Sequence, residues 1–263
     1  MTISLFPNLA KDNAIQIATE IIKLLKIMGA EFVDFETYSK TADFVLAIGG
    51  DGTILRCAKR MIGSDVKIIG VNTGFLGFMS TIEKVELHQL KKIFTGDYTV
   101  SKRMMLDIDV ETNYEQLHFT ALNDVLIKRK DFKIWKFSVY SDTQTVGDYR
   151  ADGVLFSTPT GSTAHAFSAG GPILEPECEC IEMTLMAPFS ILNRPIIFTK
   201  DRTITLNHKD EGIYFSVDGD EPIELDTDSK MLITRSECYA QIVTFGQDCF
   251  HNTLNTKLMS SIK

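Results

Sequence analysis

The period of the apolar pattern changes near residue 98, and no single uniform architecture accommodates both sides of that change. Before it, short continuous apolar runs alternate with helical stretches. ISLF (3–6) reads as a strand, with Pro7-Asn8 as its exit turn. From Asp12 or Asn13, either a good N-cap, a helix runs to about Met28; Ile15, Ala18, Ile22 and Leu25 mark its buried face, and Gly29 stands where a C′ glycine belongs. FVLAI (44–48) and KIIGV (67–71) are apolar on both faces, while ILRCAKRMIG (54–63) and KVELHQLKKIF (84–94) read as helices. Such alternation predicts a parallel sheet covered by helices. After Tyr98 the period drops to two. Leu106, Ile108 and Val110 alternate with Asp107, Asp109 and Glu111, and the same rhythm recurs at 203–207 and 213–218. These are half-buried antiparallel strands. The expectation is an α/β domain over 1–97 and a β-rich domain over 98–241. Phe250, Leu254 and Leu258, at helical spacing, return about 242–263 to the first domain.

Composition narrows the function classes. With Lys+Arg 27 against Asp+Glu 35 the net charge is −8, which argues against nucleic acid or an anionic membrane as partner. No apolar run reaches the roughly 18 residues that span a bilayer, and no basic stretch precedes an apolar one near the N-terminus. Five cysteines, odd in number and sparse, point to reduced thiols and a cytoplasmic location. Cys178 and Cys180 lack a second Cys/His pair nearby, so no zinc site is expected.

The sharpest motif is AIGGDGT (47–53), set between a buried strand and a helix. Gly49, Gly50, Gly52 and Thr53 form a candidate phosphate-binding loop, where glycines admit a ligand to the backbone and the helix N-terminus offers N–H groups. It is not a Walker A loop, because G-x-x-x-x-G-K-[ST] occurs nowhere in the chain. Nor is it a dinucleotide fingerprint: Gly50 and Gly52 fit, but Leu55 holds the third glycine position, and Val71 and Asn72 stand where the distal acid belongs. Asp51 is either a turn residue bonding its own backbone or a carboxylate that takes a proton or contacts Mg²⁺ at a phosphate site. NTGFLGF (72–78) leaves the next strand at the same carboxyl edge. Asn123-Asp124 interrupts the apolar strand ALNDVLI (121–127), where burial without partners is costly. YRADGVLFSTPTGSTAHAFSAGGPI (149–173) concentrates glycines and hydroxyls beyond what a core strand uses.

Together GGDGT (49–53), NTGFLGF (72–78), Asn123-Asp124, RADG (150–153), STPTGSTA (157–164), SAGGPI (168–173), NRPI (193–196) and SVDG (216–219) resemble the NAD kinase family in order and approximate spacing. The resemblance implies an N-terminal Rossmann-like α/β domain, a β-sandwich-like second domain, and a homo-oligomer, dimer or tetramer. It implies transfer of the γ-phosphoryl of ATP to the 2′-hydroxyl of the adenosine ribose of NAD, giving NADP, with a divalent cation, Mg²⁺ by preference. Asp51 matches the catalytic carboxylate, with Gly52 beside it. Asn123 and Asp124 match the pair that contacts adenosine, and Arg150, Asp152, Ser157, Thr163, Ala164, His165 and Ser168 match further NAD-binding positions. Arg56 and Phe75 match positions near the substrate, and no metal ligands are assigned. Two residues depart from the family pattern: Asp124 replaces the usual Glu, and His165 the usual Tyr. The competing readings are a lipid kinase of the diacylglycerol or sphingosine type, which shares GGDGT, and a non-catalytic dinucleotide-binding regulator.

Overall fold

The computed structural model describes residues 1–74, 77–131, 133–190, 194–246 and 249–260. Two compact units emerge, Met1–Arg103 with Tyr239–Lys263, and Met104–Cys238. The chain belongs to the α/β class, with a helix-covered parallel sheet followed by a β-rich antiparallel region.

In the first unit, strands Glu31–Val33, Thr2–Pro7, Phe44–Gly49 and Lys67–Asn72 lie side by side in that order, all parallel. Every residue of Phe44–Gly49 is buried, as a central strand covered on both faces requires. Helix Asp12–Ile27 packs Ala14, Ile17, Ala18, Ile21 and Leu25 into the core with Ile3, Leu46 and Ile48. Its buried stripe lies one residue back from the expected one, and Ile15 is exposed. Ala18 and Leu25 belong to both stripes, and isoleucines flank each, so periodicity alone does not choose between them. Lys11, not Asp12 or Asn13, is the N-cap residue. The Asn13 amide instead donates to the Thr73 carbonyl at 2.8 Å. Gly29 closes the helix with φ +85°, a conformation L side chains rarely adopt.

The segment expected as one helix over 84–94 is a 3₁₀ run, Lys84–Lys91, followed by a single α turn, Lys92–Thr95. Only Leu90 of the 3₁₀ run is buried, too narrow an apolar face to hold a full α-helix against the sheet. The tail forms helix Cys249–Ser260, and the Phe250 ring lies 6.1 Å from that of Phe78.

The second unit contains two antiparallel arrays. One has six strands in the order Ile196–Thr199, Cys180–Met186, Gly153–Ser157, Asp124–Arg129, Ile213–Val217 and Ile223–Leu225. The other pairs Gln144–Ala151 with Trp135–Ser141, that strand with Ile204–His208, and that in turn with Lys230–Ile233. A hairpin adds Leu106–Glu111 against Gln116–Ala121. Leu106, Ile108, Val110, Ile213, Phe215 and Val217 all point inward, and Phe119 meets Phe215 edge-on at 5.4 Å across the two arrays.

Candidate active site

Two groups of residues carry the expected chemistry, one in each unit. In the first, GGDGT is not a free loop. Gly50 is the N-cap, with extended backbone, and Asp51 opens helix Asp51–Arg60, three residues before the expected start. Asp51 therefore occupies a first-turn position, where a carboxylate is favoured by the positive end of the helix. Gly49 has no room for a side chain, because a Cβ would lie 2.2 Å from Thr53 Oγ1. The neighbouring strand sets Asn72 opposite Gly49, and the Thr73 amide donates to the Gly49 carbonyl at 3.1 Å. Both loops thus leave the same carboxyl edge of the sheet.

Asp51 does not bond its own turn. Its Oδ2 accepts from the Phe78 amide at 2.8 Å, and its Oδ1 from the Met79 amide at 3.2 Å. A Cβ at Gly77 would lie 1.8 Å from Asp51 Oδ1, so the 77–79 backbone passes directly over the carboxylate. The Ser80 hydroxyl also reaches Oδ1, at 3.5 Å, so the half-buried group keeps a lone pair for a further partner on Oδ2. Arg56 is exposed on the same helix, about 140° around the axis from Asp51, and is not brought beside it. Phe75 lies outside the described residues. Phe78, of the NTGFLGF segment, meets Asp51 through its backbone amide.

In the second unit, the Asn123 and Asp124 amides and that of Leu122 all donate to the Asp218 carboxylate, at 2.7, 3.1 and 2.9 Å. Asn123 is half-buried and Asp124 is 5% exposed. The STPTGSTA loop folds onto this pair. The Thr158 amide donates to the Asn123 carbonyl at 2.8 Å, and a Cβ on Gly161 would lie 2.1 Å from that same oxygen. Most of the loop hydroxyls are spent on backbone carbonyls: Ser157 on Thr158 and Ser162 on Pro159 within the loop, and Thr158 on Leu122 outside it. Ser157 is 1% exposed, so the structure turns it inward, away from a ligand in solution. Thr163 and Ala164 are half-buried and follow the loop, while His165 and Ser168 are exposed on the short helix His165–Ser168. Arg150 and Asp152 are exposed, the guanidinium stacked 4.8 Å over the Phe189 ring.

Burial, reinforced by the negative charges of Asp218 and Glu182, pushes the Asp124 carboxyl up to about 7. Glu182 lies in none of the sequence motifs, and Asp218, within SVDG (216–219), carries no assigned role there. Glu182 had a signal, a lone acid in the apolar run CIEMTLM (180–186), the same test that found 123–124. Among the described residues no three His, Cys, Asp or Glu side chains converge on a metal-sized site. Cys57, Cys178, Cys180 and Cys238 are free thiols, and burial pushes Cys57 up to about 12, which leaves it unreactive.

Comparison with known proteins bears on both units. Residues 31–98 match the family model of the ATP-NAD kinase N-terminal domain, and 122–245 that of the ATP-NAD kinase C-terminal domain. An NAD kinase of Thermoanaerobacter sp. (strain X514) is 34% identical over 277 aligned positions, covering 97% of this chain and 98% of its own. One from Geobacter sulfurreducens is 37% identical over 223 positions, 82% of this chain and 78% of its own. Among solved structures, an NAD kinase from Archaeoglobus fulgidus in complex with ATP superimposes with TM-score 0.81 at 26% identity, over 99% of both chains. Yeast NADH kinase complexed with NADH shares the fold, with TM-score 0.90 at 21% identity, over 98% of this chain and 87% of its own.

Proposed function

This chain belongs to the ATP-NAD kinase family, and from that premise we propose that it moves the γ-phosphoryl of ATP to the 2′-hydroxyl of the adenosine ribose of NAD, with Asp51 as proton acceptor. It is a kinase, and NADP is its product. The observation that carries the residue assignment is the Asp51 carboxylate, held by the Phe78 and Met79 amides at the mouth of a glycine loop.

A ribose hydroxyl is a weak nucleophile, and phosphoryl transfer asks chiefly for alignment and charge neutralisation. Asp51 is oriented before substrate arrives, and its remaining lone pair can take the hydroxyl proton as the oxygen attacks. The N-terminus of helix Asp51–Arg60, with the amides of Asp51 and Gly52, faces the phosphates. Asn123 and Asp124 hold the adenosine ribose, with the loop residues from Thr163 to Ser168 and the Arg150–Asp152 turn completing the NAD contacts. Ser157 supports that site from behind. Mg²⁺ enters with ATP, as part of the substrate. The donor set fits this, since a cation carried on phosphates and water needs one or two protein carboxylates and no dedicated cage. The working molecule is a homo-oligomer in which the Asp152 loop reaches a neighbouring subunit's site, and free thiols suit a cytoplasmic setting. No described helix is long and apolar enough to cross a membrane.

Incubation with ATP, Mg²⁺ and NAD, with NADP measured by a coupled dehydrogenase, tests the assignment. Formation of NADP that vanishes with Asp51→Asn supports it. Phosphorylation of diacylglycerol or sphingosine instead, or tight NAD binding without turnover, would overturn it. Neither of those readings is favoured, because both matched family models are those of ATP-NAD kinases.

A further inference from the structure

Strands Asp124–Arg129, Gly153–Ser157 and Cys180–Met186 lie side by side, and their register sets Asp124 opposite Ser157 and Ser157 opposite Glu182. Directly paired residues share a face of the sheet, so these three polar side chains form one row, flanked along their strands by Val125, Phe156, Ile181 and Met183. All three are buried, and Glu182 is 0% exposed. Its Oε1 accepts from Thr184 Oγ1 at 2.6 Å, and its Oε2 has no hydrogen-bond partner. A Cβ on Gly171 would lie 2.0 Å from Oε1, so the backbone after Ser168 is seated on this carboxyl. A buried acid without a cation is costly, and a strand of this composition has no structural need for one.

We propose that Glu182 is a positioning residue for NAD: through the row it forms with Ser157 and Asp124, its buried carboxyl governs whether Asp124 holds a proton, and so whether Asp124 can accept hydrogen bonds from the ribose. The proposal rests on the placement of Asp124 in the NAD site. Two carboxyls on strands two apart, about 10 Å between backbones, interact strongly in a medium that water does not penetrate. Once one is ionised, the second keeps its proton to higher pH. The other charged groups around Asp124 act in the same direction. Asp218 lies on its far side, bound to three backbone amides. Strand Gly153–Ser157, between the two acids, carries no ionisable side chain, and on Glu182's own strand burial pushes the Cys180 thiol up to about 11, so it stays neutral. Cys178 and His165 are exposed. Among the described residues neither Asp124 nor Glu182 has a cationic partner. Ionised, Asp124 accepts from two hydroxyls at once; protonated, it gives up part of that capacity. NAD affinity therefore rises with pH through neutrality, and Glu182 adds to what burial and Asp218 set.

The test compares the wild type with Glu182→Gln and Glu182→Met, the first keeping shape and the second suiting an apolar site. One measurement is the KM for NAD and for ATP from about pH 5.5 to 8.5. The other is the ¹³Cγ titration of Asp124 in the ligand-free protein, assigned with Asp124→Asn. In either variant the Asp124 titration moves to lower pH. At pH 6 the KM for NAD falls relative to wild type by the ratio of the Asp124 ionised fractions that the two titrations give, while the ATP profile stays. An Asp124 titration that does not move overturns the coupling and leaves the NAD-site placement standing. A titration that moves with no change in the NAD profile overturns the placement, and with it Glu182's part in binding. Should both variants fail to fold, the wild-type spectrum decides, since an Asp124 that titrates in the ordinary carboxylate range refutes the proposal.

Discussion

Gly77→Ala is a one-atom perturbation of the Asp51 carboxylate, the proposed proton acceptor, made from outside the GGDGT motif. The new methyl would lie 1.8 Å from Asp51 Oδ1, 2.4 Å from Cγ and 2.7 Å from Oδ2. Ordinary contact between such atoms is about 3.5 Å, so the carboxylate or the turn must retreat by more than about 1 Å. The amide bonds to Phe78 and Met79, at 2.8 and 3.2 Å, cannot both survive that. Hydrogen bonds to a charged acceptor contribute about 1.5–3 kcal/mol each. For a half-buried pair the loss is about 3 kcal/mol, near the lower end of the sum. That corresponds to a fall in Tm of about 10 °C for a chain of this size. A displaced proton acceptor costs rate as well as stability: about 1 Å of misplacement lowers turnover on the order of 10²-fold. Steady-state NADP formation and a thermal melt, run on the same preparation, read both. Turnover within threefold of wild type, with an unchanged melt, would show that Asp51 is not held against the 77–79 turn.

Asp51→Asn should lower turnover by about 10²–10⁴-fold. It should also cost stability, since the amide's NH₂ faces a backbone N–H; a variant with full Tm and full turnover refutes both roles. Burial raises Asp124 from its ordinary 3.8 to about 7, so the folded protein binds this proton more tightly than the unfolded chain does. That contribution to stability is present below about pH 4 and is lost as pH rises toward 7. Urea unfolding across that window should therefore show a decline that Asp124→Asn flattens, and an identical slope in the variant would refute it. Mixing inactive Asp51→Asn and Asp152→Ala proteins and allowing subunit exchange should restore part of the activity, whereas full wild-type activity in a demonstrated monomer rules out a shared site.

What the sequence made legible was the part governed by burial. Strands apolar on both faces, such as Phe44–Gly49, could only be central in a covered sheet, and strict alternation at 106–110 could only be a one-sided strand. Less was legible where two solutions share residues. The helix at 12–27 has two candidate stripes through Ala18 and Leu25, and helix Asp51–Arg60 begins within glycines that have poor helix propensity. The site residues stood out as polar or glycine-rich anomalies, but their partners did not. Asp51 finds amides 27 residues away because sheet register aligns two loops, and no local pattern encodes that. The hydroxyls of 157–162 looked like ligand donors, yet those of Ser157 and Ser162 brace their own loop and that of Thr158 ties it to Leu122. Asp218 sits in a turn at φ +54°, where Asp is among the residues that tolerate the conformation, and nothing nearby announces the three amides it collects.

The strand Lys67–Asn72 has a further consequence for biosynthesis. Its outer edge is covered piecemeal: Val71 and Asn72 by the nearby Ile82–Glu83, but Lys67 and Ile68 only by Gln241 and Ile242. A ribosome must therefore synthesise the chain past Ile242 before that half of the edge can be paired. Until then a nascent chain displays open backbone donors and acceptors beside Ile68 and Ile69, an invitation to intermolecular pairing. Truncation anywhere before Gln241, by a premature stop or by proteolysis, should accordingly yield aggregates and not a smaller folded protein.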